Sequence, residues 1–426
     1  MPIYKFNPWW QTLEIDEDVK PGVERPVLRE LQKELSNRKI VVLSGLRRTG
    51  KSTLMQQMIQ FLVRKKGVLA KRIIYMAFSQ ENNELENIID RYLKEVLRGT
   101  EQEKQKIYIF LDEIQYVPQW QKVLSVYFAK HKNFKFFISG SMVLHVGEHT
   151  PKNIKNKFKE IEVKPLDFEE YLNLKGIQID AKQEKKYEQE MKTYFRNYLL
   201  HGGFIETQKL DAGMRRQYIK ENILERIIYK DIPQNFRVSK PGVLNRLVRL
   251  IAYEPGVFGN FKHIAKKLSC DQRTIARYVS YLEKSGLVRN LYNFGLSPLQ
   301  KEKSLKKLYL TNTAFNLAIS PEIDFEKLLT QFYVNLFEAN FFSLSAQKQL
   351  IKVVLQNEDK IIPLEIDLSE QVSSLLVKKL FLFMQKHQLT KGYVITLNKK
   401  NVLKKADMKI ELIPYWRYGT VLKKIK

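Results

Sequence analysis

Gly45-Leu46-Arg47-Arg48-Thr49-Gly50-Lys51-Ser52 fits the phosphate-loop pattern G-x-x-x-x-G-K-[ST] at every fixed position. The pattern is a physical device. Its glycines let the backbone curl close to a triphosphate, so that successive N–H groups and a helix N-terminus face the anion. The residues expected to line the phosphates are Gly45, Leu46, Arg47, Arg48, Thr49, Gly50, Lys51, Ser52 and Thr53. Lys51 would reach the β/γ-phosphates and the Ser52 hydroxyl would bind Mg²⁺. The flanks agree. Lys39-Ile40-Val41-Val42-Leu43 reads as a buried parallel strand, and Ser52 to Gly67 as a helix with Leu54, Met58, Phe61 and Leu62 on one side. A chance glycine-rich turn would lack both.

A second motif answers the first. Lys106-Ile107-Tyr108-Ile109-Phe110-Leu111 is an apolar strand ending in Asp112-Glu113. An acid at such a strand end holds Mg²⁺, and its neighbour polarises the attacking water. Asp112 is therefore the expected metal residue and Glu113 the general base. A further strand, Phe134 to Ile138, ends in Ser139-Gly140-Ser141. Ser141, with Ser139 behind it, is the candidate contact to the γ-phosphate or catalytic water; a plain strand-ending turn is the alternative.

With 426 residues the chain is long enough for two or three domains. Its 44% apolar and 28% charged content is that of a globular protein. One cysteine, Cys270, excludes an internal disulfide framework and leads us to expect a cytoplasmic setting. Neither a signal peptide nor a transmembrane helix is expected, since no apolar run is long enough. The net charge of +27 attracts polyanions. Residues 211–310 carry 20 Lys/Arg against 8 Asp/Glu, 20 − 8 = +12, a modest local excess. It favours nucleic acid as a partner, although a lysine-rich proteome gives the same total.

Strands are expected at 39–43, 72–77, 106–111, 134–138 and 159–163, alternating with helices: a parallel, three-layered α/β core. Before it, Phe6-Asn7-Pro8-Trp9-Trp10 is expected to cover a core edge, and a helix lies near Val27 to Ser36. A helical stretch runs from 165 to about 238. Residues 241–312 suggest a winged helix-turn-helix: helices Val243–Tyr253 and Phe261–Leu268, a third capped by Asp271, and wing strands Leu287–Phe294 and Lys307–Thr311. If it binds double-stranded DNA, the third helix would present Gln272, Arg273, Arg277 and Tyr278. A protein-packing module is the alternative. The last hundred residues (helix Gln331–Phe342, strands Gln349–Leu355 and Ile361–Ile366, helix Ser374–Lys386, strand Lys391–Leu397) have the skeleton of restriction-endonuclease-like domains. Such domains need an acid on the first strand and Glu-x-Lys on the second. Here Lys352 and Glu365-Ile366-Asp367 stand in those places, which fits a scaffold or dimerisation role better than cleavage.

Leu111-Asp112-Glu113-Ile114-Gln115, placed between Gly45–Thr53 and Ile138-Ser139-Gly140-Ser141, resembles a family of archaeal and bacterial AAA-type ATPases. Val163-Lys164-Pro165-Leu166-Asp167-Phe168-Glu169-Glu170-Tyr171 is similar to that family's "PLSFxEF" junction, and Leu200 to Glu206 to its "GGFPE" motif. The resemblance spans essentially the whole chain. It implies ATP with Mg²⁺ as ligand, and a C-terminal domain of unknown function built from a winged helix and a degenerate nuclease-like fold. The implied organisation is an AAA-type P-loop core at 1–164, a helical lid at 165–240, a winged helix at 241–325 and the nuclease-like α/β domain at 326–426. Two departures bear on hydrolysis. Asn156-Lys157 stands where the family has Gly-Arg, and Ile205 replaces a proline. Lysine lacks arginine's planar fork, so slow or partner-dependent turnover is expected. Self-association, whether as dimer or ring, stays open beside a monomer.

Overall fold

Apolar runs in the first 165 residues become five strands: β1 Ile40–Ser44, β2 Ile73–Ala77, β3 Ile107–Asp112, β4 Phe134–Ser139 and β5 Phe158–Glu162. All pair in parallel, in the order β2-β3-β4-β1-β5. Every residue of β1, β3 and β4 is buried, as a parallel sheet covered on both faces requires. The structure, a computed structural model, describes residues 3–12, 24–99, 105–140, 150–178, 184–297, 300, 304–345, 348–357 and 360–425. They divide into two compact units, Met1–Leu174 and Lys175–Lys426.

In the first unit the phosphate-loop motif joins β1 to helix Lys51–Arg64. That helix buries Leu54, Met55, Met58, Ile59 and Leu62, an apolar stripe at helical spacing. The order of strands puts β4 between β1 and β3, so the end of β4 can touch both. β2 is an edge strand whose open backbone groups are covered by the N-terminal segment. Asn7 accepts from Tyr75 N at 2.7 Å and donates to Tyr75 O at 3.0 Å. The indoles of Trp9 and Trp10 both donate to Ile73 O. A bare strand edge would recruit other chains; here the lead-in occupies it, the core-edge role expected of the tryptophans.

In the second unit, helices Pro241–Tyr253, Phe261–Lys267 and Gln272–Lys284 precede an antiparallel pair, β7 Val288–Asn293 and β8 Lys307–Leu310, with a two-residue β6, Val257–Phe258, on the far side of β8. The Asp271 carboxylate caps the third helix by accepting from Arg273 N. The remaining strands are β9 Phe341–Leu344, β10 Leu350–Asn357, β11 Lys360–Asp367, β12 Lys391–Thr396, β13 Asn401–Lys405 and β14 Met408–Pro414. They continue the same sheet, in the order β13-β14-β12-β11-β10-β9-β7-β8-β6.

One expected element moves. The helix placed at Gln331–Phe342 runs instead over Phe325–Leu336, and Phe341–Leu344 is strand β9. Asp324 supplies the earlier start by accepting from Lys327 N at 2.8 Å, and Glu338, at φ 49°, turns the chain out of the helix. Strand β9 then pairs with both β10 and β7, which gives Phe341 and Phe342 more backbone partners than a helix end could. Among the described residues no helix is long and apolar enough to cross a membrane.

Candidate functional site

The loop between β1 and helix Lys51–Arg64 turns through positive φ at Gly45 (148°), Arg48 (63°) and Gly50 (90°). Gly45 also needs its missing side chain: a Cβ there would lie 2.3 Å from Val163 O. At Gly50 a Cβ would meet no described atom within 4 Å. Lys51 is 5% exposed and its ammonium donates to Gly45 O at 3.0 Å and Leu46 O at 2.9 Å. Thr49 Oγ1 donates to Leu46 O at 3.0 Å and tightens the curl. Arg47 reaches the Tyr116 hydroxyl at 3.2 Å. Ser52 and Thr53 open the helix from exposed positions.

Asp112 ends β3 and is buried. One of its carboxylate oxygens accepts from the Tyr75 hydroxyl at 2.7 Å and the other from Ser139 Oγ. Ser139 Oγ in turn accepts from Glu113 N at 3.0 Å, so the end of β4 holds both acids in place. The Ser52 side chain also acts on the Tyr75 hydroxyl, opposing the rise in its pKa. Burial, then the Asp112 charge, pushes its pKa well above the ordinary tyrosine value, so it stays a neutral bridge. Ser52 of the loop and Asp112 of β3 thus both bear on the charge state of one hydroxyl. Glu113 takes a left-handed φ of 55°, and its carboxylate accepts from Gln115 Nε2. A hydroxyl and carboxylate oxygens form the hard donor set that Mg²⁺ takes, and no described atom crowds the Cβ position of Gly50. The residues present therefore fit a magnesium–triphosphate ligand. Ser141 lies outside the described residues.

Two contributors escaped the sequence reading. Tyr75 lies in the strand expected at 72–77, with nothing in its spacing to set it apart. Arg25, at the start of helix Pro26–Lys33, donates to Thr49 O in the loop at 2.9 Å. No spacing rule marks either of them.

In the second unit, Gln272, Arg273 and Arg277 are exposed on helix Gln272–Lys284. Tyr278, expected beside them, is 0% exposed, and its hydroxyl accepts from Lys240 N at 2.9 Å. It belongs to the core because position 278 follows Ile275 by three on the helix's apolar face. The nuclease-like positions form a buried charge cluster. Glu365, 0% exposed, pairs with Lys379 at 3.0 Å and accepts from Lys352 N at 3.1 Å. Burial raises its pKa, and the two lysines oppose that rise. The Lys352 ammonium donates to Glu326 and to Ile366 O. Asp367 accepts from Ser369 N and Ser373 N.

Residues 37–172 match the family model described as an AAA domain, a span that encloses the loop, Asp112 and Glu113; residues 192–323 match one described as a domain of unknown function. The match of the first segment supports nucleotide binding there. An uncharacterized protein of Haemophilus influenzae is 25% identical over 253 residues, 58% of this chain and 61% of that protein, so the chain spans less than two thirds of it. An uncharacterized protein of Methanocaldococcus jannaschii is 25% identical over 423 residues, 92% of this chain and 90% of its own length. Among solved structures, the Aeropyrum pernix ORC2 protein in ADPNP and ADP complexes aligns at 12% identity and TM-score 0.39, covering 73% of this chain and 93% of that one. AMPPCP-bound DnaA from Aquifex aeolicus aligns at 14% and 0.27, covering 66% of this chain and 92% of that one.

Proposed function

We propose that this chain, an AAA domain at 37–172 followed by a domain of unknown function at 192–323, binds Mg·ATP, hydrolyses it, and uses the cycle to reposition a DNA- or protein-binding winged helix. The segments are a core at 1–164, a lid at 165–240, the winged helix at 241–325 and a nuclease-like scaffold at 326–426, working in the cytoplasm. The backbone of Gly45–Lys51 and the Lys51 ammonium hold the phosphates. Ser52 and Asp112 hold Mg²⁺, which when bound neutralises phosphate charge. Glu113 takes a proton from the attacking water, and Ser141 contacts the γ-phosphate. The observation that supports this reading most directly is the curled phosphate loop with Lys51 buried at the start of its helix, together with Asp112 held at the end of β3 by Tyr75 and Ser139. Lys51→Ala should abolish ATP binding. Glu113→Gln should keep binding while turnover falls at least about tenfold, the lower end of general-base assistance. Purified protein that neither binds ATP nor responds to Lys51→Ala would remove the proposal.

The helix-turn-helix arrangement and the basic excess over 211–310 favour a second reading, an ATP-gated DNA-associated switch with little intrinsic hydrolysis. Gln272, Arg273 and Arg277 would then contact duplex DNA. Salt-dependent binding that weakens on Arg273→Ala or Arg277→Ala supports it. No mobility shift at low salt, with or without ATP, excludes it.

A further inference from the structure

Arg25 is 8% exposed, and all three nitrogens of its guanidinium are engaged. Nη1 donates to Thr49 O at 2.9 Å and Nη2 to Lys164 O at 2.9 Å. Nε and Nη2 grip the Glu170 carboxylate at 2.8 and 3.2 Å, a two-point fork. Glu170 has a second task. Its Oε2 accepts from Asp167 N at 2.9 Å, while Asp167 Oδ1 accepts from Glu170 N at 2.8 Å. This reciprocal pair is a capping box, and it starts helix Phe168–Leu174, the last element of the first unit.

The consequence follows from peptide geometry. Thr49 C=O and Gly50 N–H belong to one planar trans peptide and point in opposite directions. Fixing the carbonyl on Arg25 therefore aims the Gly50 N–H away from Arg25. A charged donor on the carbonyl also polarises the amide and strengthens its N–H as a donor. The peptide held is the one entering Gly50, where a Cβ would meet no described atom within 4 Å.

We propose that Arg25 is a positioning residue for the phosphate loop, and that through Glu170 it transmits phosphate occupancy to the start of helix Phe168–Leu174. Resting on the nucleotide-binding reading above, this adds a route by which the loop's state reaches the end of the first unit. A phosphate drawing on the Gly50 N–H strengthens the Arg25–Thr49 bond. Arg25 then holds Glu170, and with it the cap, more firmly.

The test uses the full-length chain and three variants: Arg25→Gln, Arg25→Lys and Glu170→Gln. Glutamine is accepted at the third helical position of a capping box, so Glu170→Gln keeps the helix start and removes only the fork. ATP and ADP affinities are measured by calorimetry. Amide hydrogen exchange over 165–174 is followed with and without ATP, and thermal midpoints are recorded. In the wild type, ATP should slow exchange at 167–171. Arg25→Gln should weaken ATP binding about tenfold, the lower end for a hydrogen bond to a charged group, and should also lower the midpoint, because Glu170 loses its buried partner. Arg25→Lys, which keeps the charge but not the fork, should fall between the two and carries the affinity test if Arg25→Gln does not fold. Glu170→Gln should bind ATP almost as the wild type does and lose the ATP-dependent slowing. Wild-type ATP affinity in Arg25→Gln, or retained slowing in Glu170→Gln, overturns the inference while leaving nucleotide binding intact. A wild type that binds no ATP instead sinks the nucleotide-binding reading, and this inference with it.

Discussion

Gly45→Ala and Gly50→Ala should separate stability from ligand binding within one six-residue loop. At Gly45 the new methyl would sit 2.3 Å from Val163 O and 3.2 Å from the carbonyl carbon, on a backbone at φ 148°. Val163 cannot step aside cheaply, because its N–H donates to Ser44 O at 2.7 Å and anchors the end of the β1–β5 ladder. Strained backbone costs about 1–3 kcal/mol and overpacking about 1–3 kcal/mol, so the loss should be about 4 kcal/mol. At Gly50 no described atom lies within 4 Å, and only the φ of 90° opposes alanine, at about 1–2 kcal/mol. Its methyl, however, projects into the space proposed for phosphate. Three of the four tryptophans (Trp9, Trp10 and Trp120) lie in the first unit, so fluorescence during urea titration reports mainly on that unit. Gly45→Ala should lower the midpoint strongly. Gly50→Ala should lower it little and yet weaken ATP binding at least about tenfold, the effect of about 1.4 kcal/mol. A Gly45→Ala protein as stable as wild type, or a Gly50→Ala protein with undiminished affinity, would refute the argument.

Other expectations follow from the same structure. Ser139→Ala removes the hydroxyl shared by Asp112 and Glu113 N, and steady-state turnover should fall about tenfold, with ADP affinity nearly constant. Lys379→Ala strands the Glu365 carboxylate in the core and should cost about 3–5 kcal/mol in denaturant unfolding; a neutral result would mean that Lys352 and Lys307 suffice. The His201 pKa is lowered to about 4, first by burial and then by Arg215. The folded state thus binds fewer protons than the unfolded one between that value and the ordinary 6.5. Stability is level above pH 6.5 and falls as pH drops toward 4, by up to about 3 kcal/mol. His201→Gln should flatten that part of the stability–pH curve.

The strands of the first unit were legible because a doubly covered parallel sheet demands unbroken apolar runs, and Val41-Val42-Leu43 or Ile109-Phe110-Leu111 admit little else. Helix Ser374–Lys386 was legible for a different reason: Ser373 caps it, accepting from Leu376 N. Legibility failed where neighbours decide. Phe341-Phe342-Ser343-Leu344 has the composition of a helix end, and only β7 and β10 beside it make it a strand. Asn401–Lys405 is a lysine-bearing, exposed edge strand with no apolar alternation, and its hairpin with β14 turns at Ala406, φ 49°, where sequence suggests no turn. At the candidate site the motif residues announce themselves by spacing, whereas Arg25 and Glu170 stand 145 positions apart and meet only in the fold.

The nine-stranded sheet of the second unit has a mechanical meaning. Backbone bonds from Tyr292 N to Asn340 O at 2.8 Å and from Phe294 N to Phe342 O at 2.7 Å rivet β7 to β9. Helix Gln272–Lys284 packs against β7, so it shares one plank with the C-terminal strands and cannot swivel as a bead on a string. A torque applied anywhere along that plank turns the whole of it. A fragment cut after residue 325 would bare the flank of β7 and clump. Keeping helix Gln272–Lys284 on its native support therefore calls for the entire stretch from 175 onward.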